Sequence, residues 1–111
     1  MSFPFNVELT VNVVGGIGSV SFGAGIRSQA SLFGTIKAVV IIVPAGPPPS
    51  FEWTLANLSG NIVAGSGGTQ TGNTTAAEDM PLVGGGTFTI LNATADGVYK
   101  IELVVDAAGI A

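Results

Sequence analysis

Few residues in this 111-residue chain could do acid–base or metal chemistry. Seven are acidic, three are basic, and there is no His and no Cys. Without imidazole the chain lacks the commonest general base, the commonest transition-metal ligand and the usual activator of a serine nucleophile. Without thiols it can form neither disulfides nor thiolate zinc sites. Chemistry would therefore fall to carboxylates. Glu78 and Asp79 are adjacent, and adjacent residues of an extended strand point to opposite faces, so they would not converge. Asp96-Gly97 is explained by turn propensity. No D-x-D-x-D-G spacing offers a calcium loop, and no acid pair suggests glycoside hydrolysis. Ser and Thr abound, but Lys37 is the nearest candidate base and nothing marks an activated nucleophile. The stretch GSGGTQTG lacks the G-x-x-x-x-G-K-[ST] pattern and precedes no helix, so it reads as no phosphate cradle. The chain is expected to be no enzyme, with no catalytic residue, no cofactor and no metal.

Binding chemistry is equally sparse. Arg27, Lys37 and Lys100 lie far apart in sequence and form no basic stripe, so no nucleic-acid partner is expected. Trp53 alternates with Phe51 and Leu55, the pattern of a core residue rather than a sugar platform. Tyr99 follows Asp96-Gly97 at the start of a strand, the placement of a tyrosine corner, in which the phenol bonds to nearby backbone. Three N-x-[ST] sequons begin at Asn57, Asn73 and Asn92. Glycosylation there would need export, and MSFPFNVELT shows neither a positive n-region nor an apolar h-region, so no signal peptide is expected.

The overall composition points to association. Only 9% of residues are charged, against about a quarter in an ordinary soluble domain. The net charge is −4 and the mean hydropathy is +0.62. No stretch approaches the ~20 apolar residues that a membrane helix needs, so no membrane partner is expected. A chain this apolar and this poorly charged has little to keep copies apart and is expected to cover itself with partners.

The elements that must position these residues are strands. At this length the chain is one domain, residues 1–111. Phe3, Phe5, Val7, Leu9, Val11 and Val13 alternate with polar residues, the period of a half-buried strand. Pro4 confines its start to an edge or an arm, here residues 1–5. Gly15-Gly16 supplies a hairpin turn. In the return strand Val20, Phe22, Ala24 and Ile26 share one face, and Ser19, Ser21, Gly23 and Gly25 make the other small and flat. Residues 27–31 form a polar break. Further strands are predicted over about 33–43, at 51–56 and 62–65, at 87–91, and at 98–105 with Tyr99, Ile101, Leu103 and Val105 facing in. Residues 80–83 could form a short extended piece. Residues 65–79, rich in Gly, Thr and Asn, have the composition of a long polar loop. No helical period is sustained. The expected fold is all-β: an antiparallel β-sandwich or jelly roll of seven to eight short strands.

The run IKAVVIIVPAGPPPSFEW invites a closer reading. By parity Ile36, Ala38, Val40 and Ile42 continue the apolar face of Leu32 into the core. Thr35 and Lys37 open the other face as a solvated one, which Val39, Ile41 and Val43 then turn apolar. These three are expected to lie covered, by a loop or by a neighbouring subunit; cover by another chain would make Ile41→Lys disturb assembly more than folding. The prolines end the strand and carry an extended segment, residues 44–50, away from it. Phe3, Phe5, Val39, Ile41, Val43, Pro47, Pro48 and Pro49 are therefore the candidate interface.

FEWTLANLSGNIVAG, a polar stretch, DMPLVGGGTFTI and ATADGVYKIELVV together resemble the small β-sandwich structural proteins of tailed bacteriophages, including the auxiliary or decoration proteins of capsids. The layout is more loosely similar to bacterial prepeptidase-type C-terminal domains, whose central hairpin carries more Asp. The resemblance covers about half of the chain and carries over no functional residue. It implies a virion structural protein, a capsid decoration or cement protein made in the host cytoplasm. Its implied partners are further copies of itself, in a symmetric homo-oligomer, and a major capsid or other virion protein. The alternative is a carbohydrate- or receptor-binding sandwich, tail-associated or adhesin-like, which would need exposed aromatic residues.

Overall fold

A computed structural model describes residues 3–22, 34–82 and 85–107. Among them there is no helix, and nine strands form two antiparallel sheets packed face to face. In chain order these are β1 (Phe3–Val13), β2 (Gly18–Phe22), β3 (Gly34–Ile42), β4 (Ser50–Asn57), β5 (Ile62–Gly65), β6 (Gln70–Thr71), β7 (Thr74–Leu82), β8 (Gly86–Leu91) and β9 (Gly97–Ala107). The first sheet has the order β1-β9-β3-β7 and the second β2-β8-β4-β5, with β6 pairing the start of β4. The chain is an all-β antiparallel sandwich.

Period two produces this arrangement. Leu9 and Val11 on β1 lie opposite Ile101 and Tyr99 of β9, and with Val13, Leu103 and Val105 they share the buried side. From the other sheet come Phe51, Trp53 and Leu55 of β4 with Phe88 and Ile90 of β8. Trp53 stacks on Phe88 with ring centroids 5.4 Å apart, and Phe51 meets Tyr99 edge-on at 5.7 Å, joining the two sheets. Aromatic pairs of these geometries each add roughly 0.5–1.5 kcal/mol beyond the area they bury. The described core contains no buried charged or polar residue.

Turns follow the glycines where positive φ is needed. Gly15 and Gly16, at φ 66° and 83°, form a two-residue turn between Val14 and Ile17. Two successive positive φ values match the right-handed twist of the flanking strands. This hairpin also carries the chain from the first sheet to the second, because β1 and β2 are edge strands of different sheets. Pro4 lies on that edge, where its missing N–H costs no ladder bond.

Three details depart from the sequence reading. Residues 3–5 are paired with 105–107 through the backbone rather than forming an arm. The stretch 65–79 is mostly strand. It holds the end of β5, all of β6 and the first part of β7, and only 66–69 and 72–73 are irregular. Met80, Pro81 and Leu82 therefore continue a nine-residue edge strand that pairs with β3, and the described residues hold nine strands. The polar break at 27–31, Leu32 and the inward residues Ala24 and Ile26 lie outside the described residues.

The third departure is the parity of β3. Its register shifts between Ile36 and Ala38, so that Ile36 faces Val105 while Ala38 already faces Val104. Lys37 is the extra residue of a β-bulge, which turns the strand by one position. Ile36 points inward before it, and Val39 and Ile41 point inward after it. Val40 and Ile42 accordingly fall on the outer face, with Ile42 44% exposed and Ile41 1%.

Candidate functional site

The residues expected to form one interface are divided among different environments. Val39 and Ile41 are covered by this chain's own core, packed against the second sheet, and are unavailable to a partner in the folded state. Val43 is half-buried against that core, and its amide donates to Asn73 Oδ1 at 2.9 Å. Pro47 and Pro48 are exposed on the 43–49 connection, whereas Pro49 is buried and its carbonyl accepts the Gly72 amide at 3.0 Å. Phe3 and Phe5 are placed by backbone pairing alone, and their side chains lie outside the described residues.

The carboxylates also have structural partners. Asp79 accepts from Lys37 Nζ at 3.0 Å, so the bulge that turns β3 presents its lysine to β7. Both groups are largely exposed, and such a pair contributes about 0–1 kcal/mol. Asp96 does more than make a turn. Its two oxygens accept the successive amides of Gly15 and Gly16, each at 3.0 Å, and so tie the β8–β9 connection to the β1–β2 hairpin. These two bonds hold its carboxyl below the ordinary value, against a smaller opposing effect of burial. Tyr99 forms the expected corner: its hydroxyl donates to the Ala95 carbonyl at 2.7 Å. Burial, and secondarily the Asp96 charge, push the phenol above its ordinary value.

The sequon asparagines serve the fold in the same way. Asn57 Oδ1 accepts the amides of Ser59 and Asn61 and closes the β4–β5 turn. Asn73 holds Val43 as described, and Asn92, at φ 51°, donates to Glu52 Oε2 at 2.7 Å.

What the sequence reading missed is the outer face of the first sheet. The β1–β9 register places Glu8 directly opposite Glu102, Thr10 opposite Lys100 and Asn12 opposite Val98. The β3–β9 register adds Val40 beside Glu102 and Ile42 beside Lys100. A shallow hollow of about 360 Å³ lies at the centre of these rows. Two carboxylates thus do face each other, and Asn6 Nδ2 holds one of them, donating to Glu102 Oε1 at 2.8 Å. Among the described residues no third carboxylate joins them to make a metal-ligating group. Beyond Thr10 and Lys100 the same face turns apolar, with exposed Val98, Val14 and, across the turn, Ile17. Each strand's outward residues were readable by alternation. Their juxtaposition was not, because it needs the register between the two ends of the chain and the bulge in β3.

No protein-family model matches the chain, and no curated protein matches it. A solved structure described as "Bacillus endospore appendages form a novel family of disulfide-linked pili" is 13% identical. The match covers 97% of this chain and 92% of that one, with a TM-score of 0.46.

Proposed function

We propose that the chain is a non-enzymatic structural subunit of a virion, a decoration or cement protein that stabilises a shell through contacts between subunits. The observation that carries this reading is the exposed apolar stripe of Ile17, Val14, Val98 and Ile42 on a sandwich whose described residues already form a core of their own. A subunit whose large side chains are already used internally associates through what remains outside. Burying that stripe contributes roughly 25 cal/mol per Å² before the costs of association. The low charge of the chain supports the same reading, since little opposes close approach. A carbohydrate-binding role loses its main support, because Trp53 and Tyr99 are both inside the core.

The test is co-purification. With the gene expressed in its native host, the chain is expected to band with virus particles on a density gradient and to be identified there by mass spectrometry. Recovery only in the soluble fraction, with particles of normal stability when the gene is deleted, would overturn the reading.

A further inference from the structure

The outer face of the first sheet carries, along β9, charges that are complementary to their own reversed order. Along β9 the outward residues run Val98, Lys100, Glu102, Val104 and Asp106, with the opposite charges Lys100 and Glu102 flanked by Val98 and Val104. On β3, Ile42 lies beside Lys100 and Val40 beside Glu102. On β1, Thr10 and Glu8 occupy the same two rows, and Asn12 and Asn6 the rows beyond them.

We propose that this face packs on the same face of a second copy, across a two-fold axis that lies between the sheets, perpendicular to the strands, at the level of Ile101. That operation reverses the rows and brings β9 and β1 over their own counterparts, and β3 over its own at Val40, Ile41 and Ile42; β7 begins with Thr74 at the level of Ile101 and stays to one side. Lys100 of each copy comes over Glu102 of the other, twice. Val98 comes over Val104, Ile42 over Val40, and Thr10 over Glu8. Between residues 98 and 104 no like charges are superposed, whereas a two-fold axis along the strands would place Lys100 over Lys100; beyond that span Asp106 comes to the level of the copy's Asp96. An interface of this kind is isologous and closes as a dimer. The hollow at the centre lies beside Glu102, where the copy's Lys100 side chain would enter. Among the described residues Lys100 has no carboxylate within ion-pair distance in its own chain, the described pair being Lys37–Asp79.

The area suits only a weak, transient dimer. β1 and β9 overlap over seven residues and β3 over three; at about 4.8 Å between strands and about 3.3 Å per residue this gives on the order of 500 Å² for the two copies together, below the ~1,000 Å² of a stable specific pair. A concentration-dependent equilibrium is therefore expected. The inference rests on the reading of the chain as a structural subunit and names its contact with a second copy, but its test needs no particle.

Sedimentation equilibrium of the full chain, from micromolar to millimolar concentration, should show a dimer. Lys100→Glu places like charges against Glu102 twice and should raise the dissociation constant about a hundredfold, a factor of about ten for each pair. The double variant Lys100→Glu/Glu102→Lys restores opposite charges across the axis and should recover the dimer. Thr54→Glu, on the second sheet, should change nothing. Circular dichroism melts show whether each variant is folded. A wild type that stays monomeric to millimolar concentration overturns the proposal. So does a dimer indifferent to Lys100→Glu, or a double variant no better than the single one. If the chain still bands with particles in those cases, the structural reading stands and this face is excluded from it.

Discussion

The hydroxyl of Tyr99 donates to the carbonyl of Ala95 at 2.7 Å, four residues back along the chain, while its ring packs edge-on against Phe51. Tyr99→Phe keeps the ring and removes only the bond. It should cost about 1–2 kcal/mol, because the carbonyl loses its partner, as read from chemical denaturation. The pH dependence has a definite sign. The folded phenol titrates above its ordinary value of 10.0, so the contribution is complete below pH 10 and is lost as pH rises through the raised value. The Phe variant should lack that part of the alkaline loss.

Asp96 joins the other side of the same connection to the hairpin. Its carboxyl is held below 3.8 by the Gly15 and Gly16 amides, so its contribution is present above that value and is lost as pH falls through the lowered one. Asp96→Ala should lower the melting temperature at pH 7. The gap between wild type and variant should narrow below pH 4. A gap that is constant down to pH 2 would show that the carboxylate is not what ties the hairpin.

The parts of this molecule that were readable from sequence are those in which one strand decides its own fate. Trp53 and Phe88 lie between polar neighbours, and Tyr99 and Leu103 keep the period of two set by Lys100 and Glu102, so alternation alone sends them inward. What was unreadable depends on a neighbour. Strand β7 has small or polar residues at most positions and packs chiefly through Ala76 and Met80, so its composition resembles a loop until β3 is beside it. The outer face is unreadable for a related reason. Glu8 and Glu102 come from opposite ends of the chain, and only the register sets them side by side.

The bulge at Lys37 is the sharpest case, because one extra residue reverses every later side chain of β3. Ile41→Lys places a charge in the core and should cost about 4 kcal/mol or more, enough to unfold a domain of this size. Ile42→Lys falls on the outer face and should change the stability of the monomer by no more than about 0.5 kcal/mol. Thermal melts of the two variants at low concentration distinguish the parities. The reverse order would place Val40 and Ile42 inside and remove the bulge.

Gly86 starts β8 between β2 and β4, opposite Phe22 on one side and Asn57 on the other. It is buried, and a Cβ there would fall on the Ala56 carbonyl oxygen, a backbone atom that cannot turn away as a flexible side chain would. Gly86→Ala should therefore cost about 2–3 kcal/mol, the upper range for an overpacked site. Gly68 is the control. It has open space around it, so Gly68→Ala should be neutral, or stabilising by up to about 1 kcal/mol through the reduced entropy of the unfolded chain. Equal costs at the two positions would mean that loss of glycine itself, and not the approach of β4 to β8, sets the requirement at 86.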